Sequence, residues 1–412
     1  MTRPLTVCFC TARLPYPPVS GGTVETFRTV ERLAGAGHDV TVVAYCDDRK
    51  RAREMAEAAG CRVVPVPGLP DTTPWTLARN LVSPYPHAVM KSRTDRYRRA
   101  VEGVLREEPV DVVHLHTFQV SALASDLSTT VPVVVRFTNV KSELYRQFAG
   151  YTDNPAKAAY ATLQYRKARR YEPRVVAASD RTLAITDEDA TRLRRGRPVD
   201  DGTVDVLQTG FDPQPPGDAA APPAGRPTVT FFGSMDYHPN EDAAVWFAEE
   251  VFPAVRRADG DAVFEVVGAN PTDRVRALTD HEGVRVTGFV EDIDAYVDRA
   301  TVVVVPVRIG TGVRIKLLHA MARGKAVVST PVGAQGVGVE DEVHLRLAER
   351  PEQFAVAVRD LLADPETRRT YGESARDLVD REYRWSRVVE RLEQQYERLV
   401  GPASASPDTT RP

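Results

Sequence analysis

Short runs of apolar, mostly β-branched residues alternate along this chain with longer stretches whose apolar positions recur every three or four residues. The first pattern belongs to strands buried on both faces and the second to helices that cover them, so the chain reads as strand–helix–strand units on parallel sheets. In the first half the pattern predicts strands over 5–11, 40–46, 62–66, 110–115, 131–137, 182–185 and 204–207, with helices over 24–36, 51–59, 88–107 and 156–178. It stops between 212 and 227, where six prolines occur and no periodicity survives, the composition of a linker. It then restarts, with strands over 229–232, 262–267, 284–287, 302–305 and 326–329 and helices over 241–256, 272–278, 292–300 and 313–323. Three helices, over 351–362, 365–382 and 386–399, close the pattern. The fold class is therefore α/β, with two doubly wound, Rossmann-like parallel-sheet domains. The division is 1–212 for the first domain, 213–227 for the linker, 228–385 for the second domain, 386–400 for a last helix and 401–412 for a Pro/Ser/Thr-rich tail expected to be disordered. Sheets of this kind bind ligands outside the carboxyl ends of their strands, so function is to be sought in the loops there.

Composition narrows the function classes. A chain of 412 residues exceeds one ordinary hydrophobic core. With 42% apolar and 27% charged residues it has the balance of a globular protein, and a formal net charge of −3 offers no basic field to nucleic acid. The apolar run at 301–307 is typical of the longest present, far below the ~18 residues of a membrane span. Pro4, Pro15, Pro17 and Pro18 break up any leader-like apolar start. Cys8 and Cys10 fall two apart in an apolar run, and Cys46 and Cys61 lie at or near the ends of later ones. With no second close pair and no histidine cluster beside them, all four read as reduced core thiols. The expectation is a cytoplasmic protein with no metal.

Two loops carry candidate chemistry. Gly21 and Gly22 directly precede the first predicted helix, where bare backbone amides and the helix dipole favour an anion. A tight strand-to-helix turn uses the same pair, and the dinucleotide-binding fingerprint is absent. The second loop follows the strand at 302–305. Gly310 and Gly312 free backbone amides to face an anion, and Arg308, Arg314 and Lys316 add three cations. No acidic residue occurs between Val302 and Glu340. Lys316 and His319, three apart, share a helical face. This is the chemistry a diphosphate leaving group requires, unless the helix simply presents a solvated basic surface.

The stretches from Pro15 to Phe27, Phe232-Gly-Ser-Met-Asp-Tyr-His-Pro-Asn-Glu-Asp-Ala, Gly288-Phe-Val-Glu-Asp and from Gly312 to Gly333 resemble the retaining nucleotide-sugar glycosyltransferases of family four, which have the two-domain GT-B fold. The resemblance runs from about Leu5 to Leu399 and is closest to the bacterial polysaccharide or natural-product type, with its Gly-x-Gly-x-Arg-x-Lys loop. It implies a first domain for the acceptor, a second for the nucleotide sugar, a central cleft that both face, and a last helix that crosses back to the first domain. It places Gly21 and Gly22 near the donor diphosphate and His116 beside the transferring sugar, unless that histidine is merely a core residue at a strand end. It places Asn139 and Glu143 on the acceptor-side wall, Arg314 and Lys316 on the diphosphate, Gly233 in the donor loop, and the backbone from Gly288 to Val290 against the base. The family's pair of glutamates falls here on Thr311 and His319, and Gln335 stands where glutamate is frequent. Histidine can still bond a ribose, with a different charge.

The resulting expectation is a metal-independent hexosyltransferase-like enzyme that needs no cofactor. It would move a sugar from a nucleoside diphosphate to an acceptor hydroxyl in polysaccharide, glycolipid or natural-product biosynthesis. Catalysis is assigned to His116, Arg314 and Lys316, and donor binding to Gly21, Gly22, Gly233, Val290, Gly310, Thr311, Gly312 and His319. No pair of carboxylates suggests a hydrolase. Two rivals remain: a degenerate relative that binds a nucleotide sugar or partners an active subunit, and a 2-epimerase or phosphorylase on the same fold. The basic stretch from Pro155 to Arg174, interleaved with tyrosines, fits either peripheral contact with an anionic inner membrane face or an ordinary solvated helix.

Overall fold

The computed structural model describes residues 3–19, 21–152, 154–195, 203–212, 225–310 and 312–401. The chain gathers into two compact units, one of residues up to Gln208 with the segment from Val388 on, the other from Thr209 to Arg387.

The sheet of the first unit contains β1 (Thr6–Thr11), β2 (Asp39–Tyr45), β3 (Arg62–Val66), β4 (Val112–His116), β5 (Val133–Phe137), β6 (Arg181–Ala184) and β7 (Val204–Val206) in the order β3-β2-β1-β4-β5-β6-β7. Every pairing is parallel. The order reverses between β1 and β4, so the loops there leave the sheet in opposite directions and open a crevice at the carboxyl ends. Thr11 pairs with His116 at that point. The second unit repeats the plan with β8 (Thr228–Phe232), β9 (Val263–Val267), β10 (Val284–Gly288), β11 (Val302–Val305), β12 (Val327–Ser329) and β13 (Arg346–Leu347) in the order β10-β9-β8-β11-β12-β13. Its reversal lies between β8 and β11. Strands such as Val302–Val305 are buried at every position, which is why they read as unbroken apolar runs.

The last helix, Trp385–Val400, buries Val388, Val389, Leu392 and Tyr396 as one stripe. Within the first unit Glu393 bonds His38 at 2.8 Å and Arg391 donates to the Gln208 side chain at 2.7 Å. Residues Thr209–Asp212, expected in the first domain, fall in the second unit. There the Phe211 amide donates to the Tyr383 carbonyl at 2.6 Å, and Gly210 lies so close to Trp385 that a β-carbon would come within 2.2 Å of the indole. Most of the expected linker and tail, 213–224 and 402–412, lies outside the described residues.

The helix predicted over 88–107 is two, His87–Ser92 and Asp95–Glu107, because Thr94 is extended and its hydroxyl caps the second by accepting from the Tyr97 amide. Helices Pro74–Val82, Leu123–Asp126, Lys141–Tyr151 and Asp187–Arg194 and the two-residue strand β13 were not predicted. Cys8 and Cys10 are buried, Cys46 and Cys61 half-buried, and all four are free. No helix among the described residues is long and apolar enough to cross a membrane.

Candidate functional site

In the first unit the crevice between β1 and β4 opens into a cavity of about 470 Å³. Thr11, Gly22, Thr117 and Asn139 all border it. Gly21 and Gly22 start the helix Gly21–Gly35, and a β-carbon on either would meet nothing within 4 Å; they leave open space rather than relieve a clash. Glu143, expected on the same wall as Asn139, instead pairs with Arg146 one turn along the helix Lys141–Tyr151, at 2.6 Å, and accepts from Gln147 at 3.0 Å.

His116 is fully buried, and both ring nitrogens are engaged. Nε2 lies 2.7 Å from Glu25 Oε2, and Nδ1 lies 3.3 Å from His114 Nε2. His114 Nδ1 in turn lies 2.7 Å from the Tyr396 hydroxyl, and its ring stacks on Phe9 at 4.7 Å. Arg136 donates from Nε to the other Glu25 oxygen at 2.9 Å and from its remaining nitrogens to the carbonyls of Leu207 and Gln208. Burial works to raise the Glu25 pKa, but Arg136 and His116 outweigh it and bring it down to about 2. Burial, reinforced by His116 and Arg136, pushes His114 well below the ordinary histidine range. The ionised Glu25 accepts from His116 Nε2, and His114 and the Tyr396 hydroxyl extend the hydrogen-bonded chain behind it. This chain locks the end of β4. The next residue, Thr117, has φ of +95°, a conformation rare for a β-branched side chain. Its hydroxyl is buried without a hydrogen-bond partner.

In the second unit, β8 runs into Gly233 and β11 into the loop that carries Gly310 and Gly312. Lys316, on the helix Ile315–Ala322, lies over the Phe231 ring at 4.1 Å and donates to Asn240 Oδ1 at 2.7 Å. Asn240 donates in turn to the Ser234 carbonyl at 2.8 Å. Gly233 has φ of +153°, and a β-carbon there would sit 2.8 Å from both Asn240 Nδ2 and Lys316 Nζ. Gly310, at φ +122°, would bring one within 2.7 Å of Arg314 Nη2. At both positions the positive φ disfavours any side chain, and the ends of the cations lie against the bare backbone. Burial, with Arg314 nearby, pushes the Lys316 pKa well below its ordinary value, and burial lowers that of Arg314 too. Lys316, desolvated and bonded to a neutral amide, offers its charge to an anion, with the buried Arg314 beside it.

Arg308 does not join them. It is held by both oxygens of Asp242 at 2.6 and 3.1 Å and lies over Trp246, so the expected trio of cations is a pair. His319 also turns elsewhere. Its Nε2 meets Asp294 Oδ1 at 2.6 Å, and its ring stands between Phe211 and Phe232 at 5.6 and 5.3 Å. Burial lowers its pKa despite Asp294, which acts to raise it. Val290 is half-buried against the core, and its neighbour Phe289 is 75% exposed. Thr311 lies outside the described residues. Among the described residues no group of three or more His, Cys, Asp or Glu is placed to hold a metal ion. Sequence reasoning missed Glu25, Arg136, Thr117 and Asn240. Glu25 lies at the helix spacing of a buried face with Thr29 and Leu33, but a charged residue reads as solvent-facing.

Comparison with known proteins agrees with this layout. Residues 20–210 match the family described as glycosyl transferase 4-like domain, and residues 226–364 match glycosyl transferases group 1. A D-inositol 3-phosphate glycosyltransferase of Catenulispora acidiphila is 26% identical over 81% of this chain and 83% of its own length. Among solved structures, sucrose-phosphate synthase from Thermosynechococcus elongatus aligns with a TM-score of 0.72 at 17% identity, over 96% of this chain and 99% of its own. Anabaena HepE in complex with UDP and glucose aligns with a TM-score of 0.65 at 14% identity, over 96% of this chain and 100% of its own.

Proposed function

The chain belongs to the family-four glycosyltransferases of GT-B fold, and on that premise we propose that it moves a sugar from a nucleoside diphosphate to an acceptor hydroxyl with retention at the anomeric carbon. The observation that carries this reading is the convergence of Lys316 and Arg314 on glycine loops at the strand-order reversal of the second unit. As the bond from the anomeric carbon to the diphosphate breaks, negative charge grows on the leaving oxygens. The two cations and the amides of Gly310 and Gly312 stabilise that charge without reorganising. The freed phosphate oxygen takes the proton of the acceptor hydroxyl, whose oxygen forms the new bond on the same face. No metal is needed where two desolvated cations supply the charge. The exposed Phe289 offers a ring for the base to stack on, and the UDP held by HepE makes UDP the first nucleotide to test.

His116 acts in this scheme through the backbone it fixes at Thr117, because its ring is occupied by Glu25 and His114. Asn139, on the cavity wall, faces the acceptor in the first unit. Peripheral membrane contact through the stretch from Pro155 to Arg174 draws on the exposed Arg166, Arg169, Arg170 and Arg174; Lys167, in contrast, is turned inward onto the Asn80 carbonyl. The test is a thermal-shift screen of UDP, GDP, ADP and TDP, followed by turnover with the matching nucleotide sugars and NMR of the product anomer. A nucleotide that binds but is never turned over would favour the degenerate binder. Inversion of the anomer would refute retention.

A further inference from the structure

The last helix closes a ring of hydrogen bonds inside the first unit. From the Tyr396 hydroxyl, 2.7 Å from His114 Nδ1, the contacts run to His116 at 3.3 Å, Glu25 at 2.7 Å and Arg136 at 2.9 Å. Arg136 continues to the Gln208 carbonyl at 3.2 Å, and the Gln208 side chain accepts from Arg391 at 2.7 Å. Arg391 and Tyr396 stand on one helix, Trp385–Val400, so the ring begins and ends on the same element. Between those ends it passes through the carboxyl ends of β4 and β5. We infer that Tyr396 is a positioning residue for the reaction: its hydroxyl completes the ring that holds Thr117 on the wall of the first unit's cavity.

Three observations separate this from ordinary packing. The first is the backbone that the ring surrounds. Thr117 directly follows β4, has φ of +95° and donates its amide to the Arg136 carbonyl at 3.3 Å. Such a conformation in a β-branched residue persists only where its surroundings over-determine it. His116 and Arg136, register partners on β4 and β5, are both members of the ring and fix the strand end from two sides. The conformation leaves Thr117 Oγ1 buried on the cavity lining without a hydrogen-bond partner, so a hydroxyl there is open to a polar occupant.

The second observation is that docking of the helix does not need the Tyr396 hydroxyl. Val388, Val389 and Leu392 bury an apolar stripe, and Glu393 meets His38 at 2.8 Å. A phenylalanine at 396 would fill nearly the same volume, so what the hydroxyl adds is its bond to His114. The third concerns charge. Burial pushes the Tyr396 pKa up and, with His116 and Arg136, the His114 pKa well down. The hydroxyl keeps its proton and His114 stays uncharged through neutral pH, so their contact is a fixed hydrogen bond. Satisfied buried networks of this kind rigidify what they connect.

This inference rests on the transferase reading, and the test reads position and turnover separately. Tyr396→Phe is compared with Glu393→Ala, which loosens the same helix at His38 without touching the ring. NMR follows the backbone amides and histidine rings of the full chain, and a coupled assay follows UDP release from UDP-glucose as the probe donor. In Tyr396→Phe the His114 and His116 ring resonances and the Thr117 amide should move. Its kcat should fall about tenfold while KM for UDP-glucose stays within about twofold, since the donor cations belong to the second unit. Glu393→Ala should lower the melting temperature at least as much yet leave the Thr117 amide and kcat as in the wild type. Should Tyr396→Phe fail to fold, Arg391→Met opens the ring at its other end and should move the same amide. A Thr117 amide unmoved when the ring is opened would overturn the proposal. So would equal losses of kcat in Tyr396→Phe and Glu393→Ala, the mark of a helix that only holds the unit together. If the wild type releases no UDP from UDP-glucose, the donor assignment fails, and the Thr117 amide alone decides whether Tyr396 positions it.

Discussion

Lys316→Met isolates the leaving-group contact. The thioether keeps an unbranched chain over the Phe231 ring, where Nζ now lies at 4.1 Å, and removes only the charge and its bond to Asn240. Lys316 meets a neutral amide rather than a carboxylate at 2.7 Å, so its charge is available to the diphosphate. At ~4 Å and an effective dielectric constant of about 20, one such pair is worth about 4 kcal/mol. Loss of one preorganised contact to a developing oxyanion typically removes ~2.7–4 kcal/mol. Turnover should therefore fall by ~10²–10³-fold, read as nucleoside diphosphate released under saturating sugar donor. Stability should move the other way. Burial depresses the Lys316 pKa in the folded chain, so the folded state binds this proton less readily than the unfolded state, and protonation below the ordinary lysine pKa opposes folding. Removing the charge should thus leave the melting temperature at neutral pH equal to or above that of the wild type. The rise that UDP produces by mass action should shrink. A variant that melts like the wild type, keeps its UDP shift and turns over normally would refute the placement of the diphosphate at Lys316.

Two further outcomes follow from the buried groups. Glu25→Gln should cost about 3–5 kcal/mol at neutral pH, because it leaves the buried Arg136 without its charge partner. The folded pKa of about 2 lies below the ordinary 4.5, so the wild type should lose this advantage as the pH falls through that interval; parallel pH–stability curves for the two proteins would refute it. For His319→Gln the sign is similar but the window is higher. With its pKa lowered below 6.5 in the folded state, His319 is neutral at pH 7, so the wild type should lose stability relative to the variant only below about pH 6.5. Donor affinity should be flat from pH 7 to 8 in both. A wild-type affinity that weakens over that range while the variant's does not would restore a charged histidine at the donor.

The doubly wound order was legible because its strands are buried on both faces and so read as unbroken apolar runs, while the glycines at 310 and 312 mark the loop after β11. Elements whose signal is short or contrary were not legible. β13 is two residues long, too short for any period. The helix Lys141–Tyr151 begins after Val140 with no side-chain cap, and its entry looks like the end of a strand. The break at Arg93 was readable in principle, since Thr94-Asp95 is an N-cap followed by an acid in the first turn, but apolar spacing on either side concealed it.

The site was partly legible for a different reason. Counting charges along the chain shows no acid between Val302 and Glu340 and makes Arg308 a third free cation. Crossover topology defeats such counting: Asp242, 66 residues earlier, arrives on the helix after β8 and neutralises it. The same topology brings Asp294 to His319 and Glu25 to His116 across 91 residues. In each case the acid comes from an element that follows or flanks the neighbouring strand, the one place a linear reading does not look. Lys316 keeps its charge available because the elements beside it deliver Asn240 and Phe231 rather than an acid. What distinguishes the donor cations from the structural ones is thus the residue that topology places opposite them, and that follows from strand order rather than from spacing in the chain.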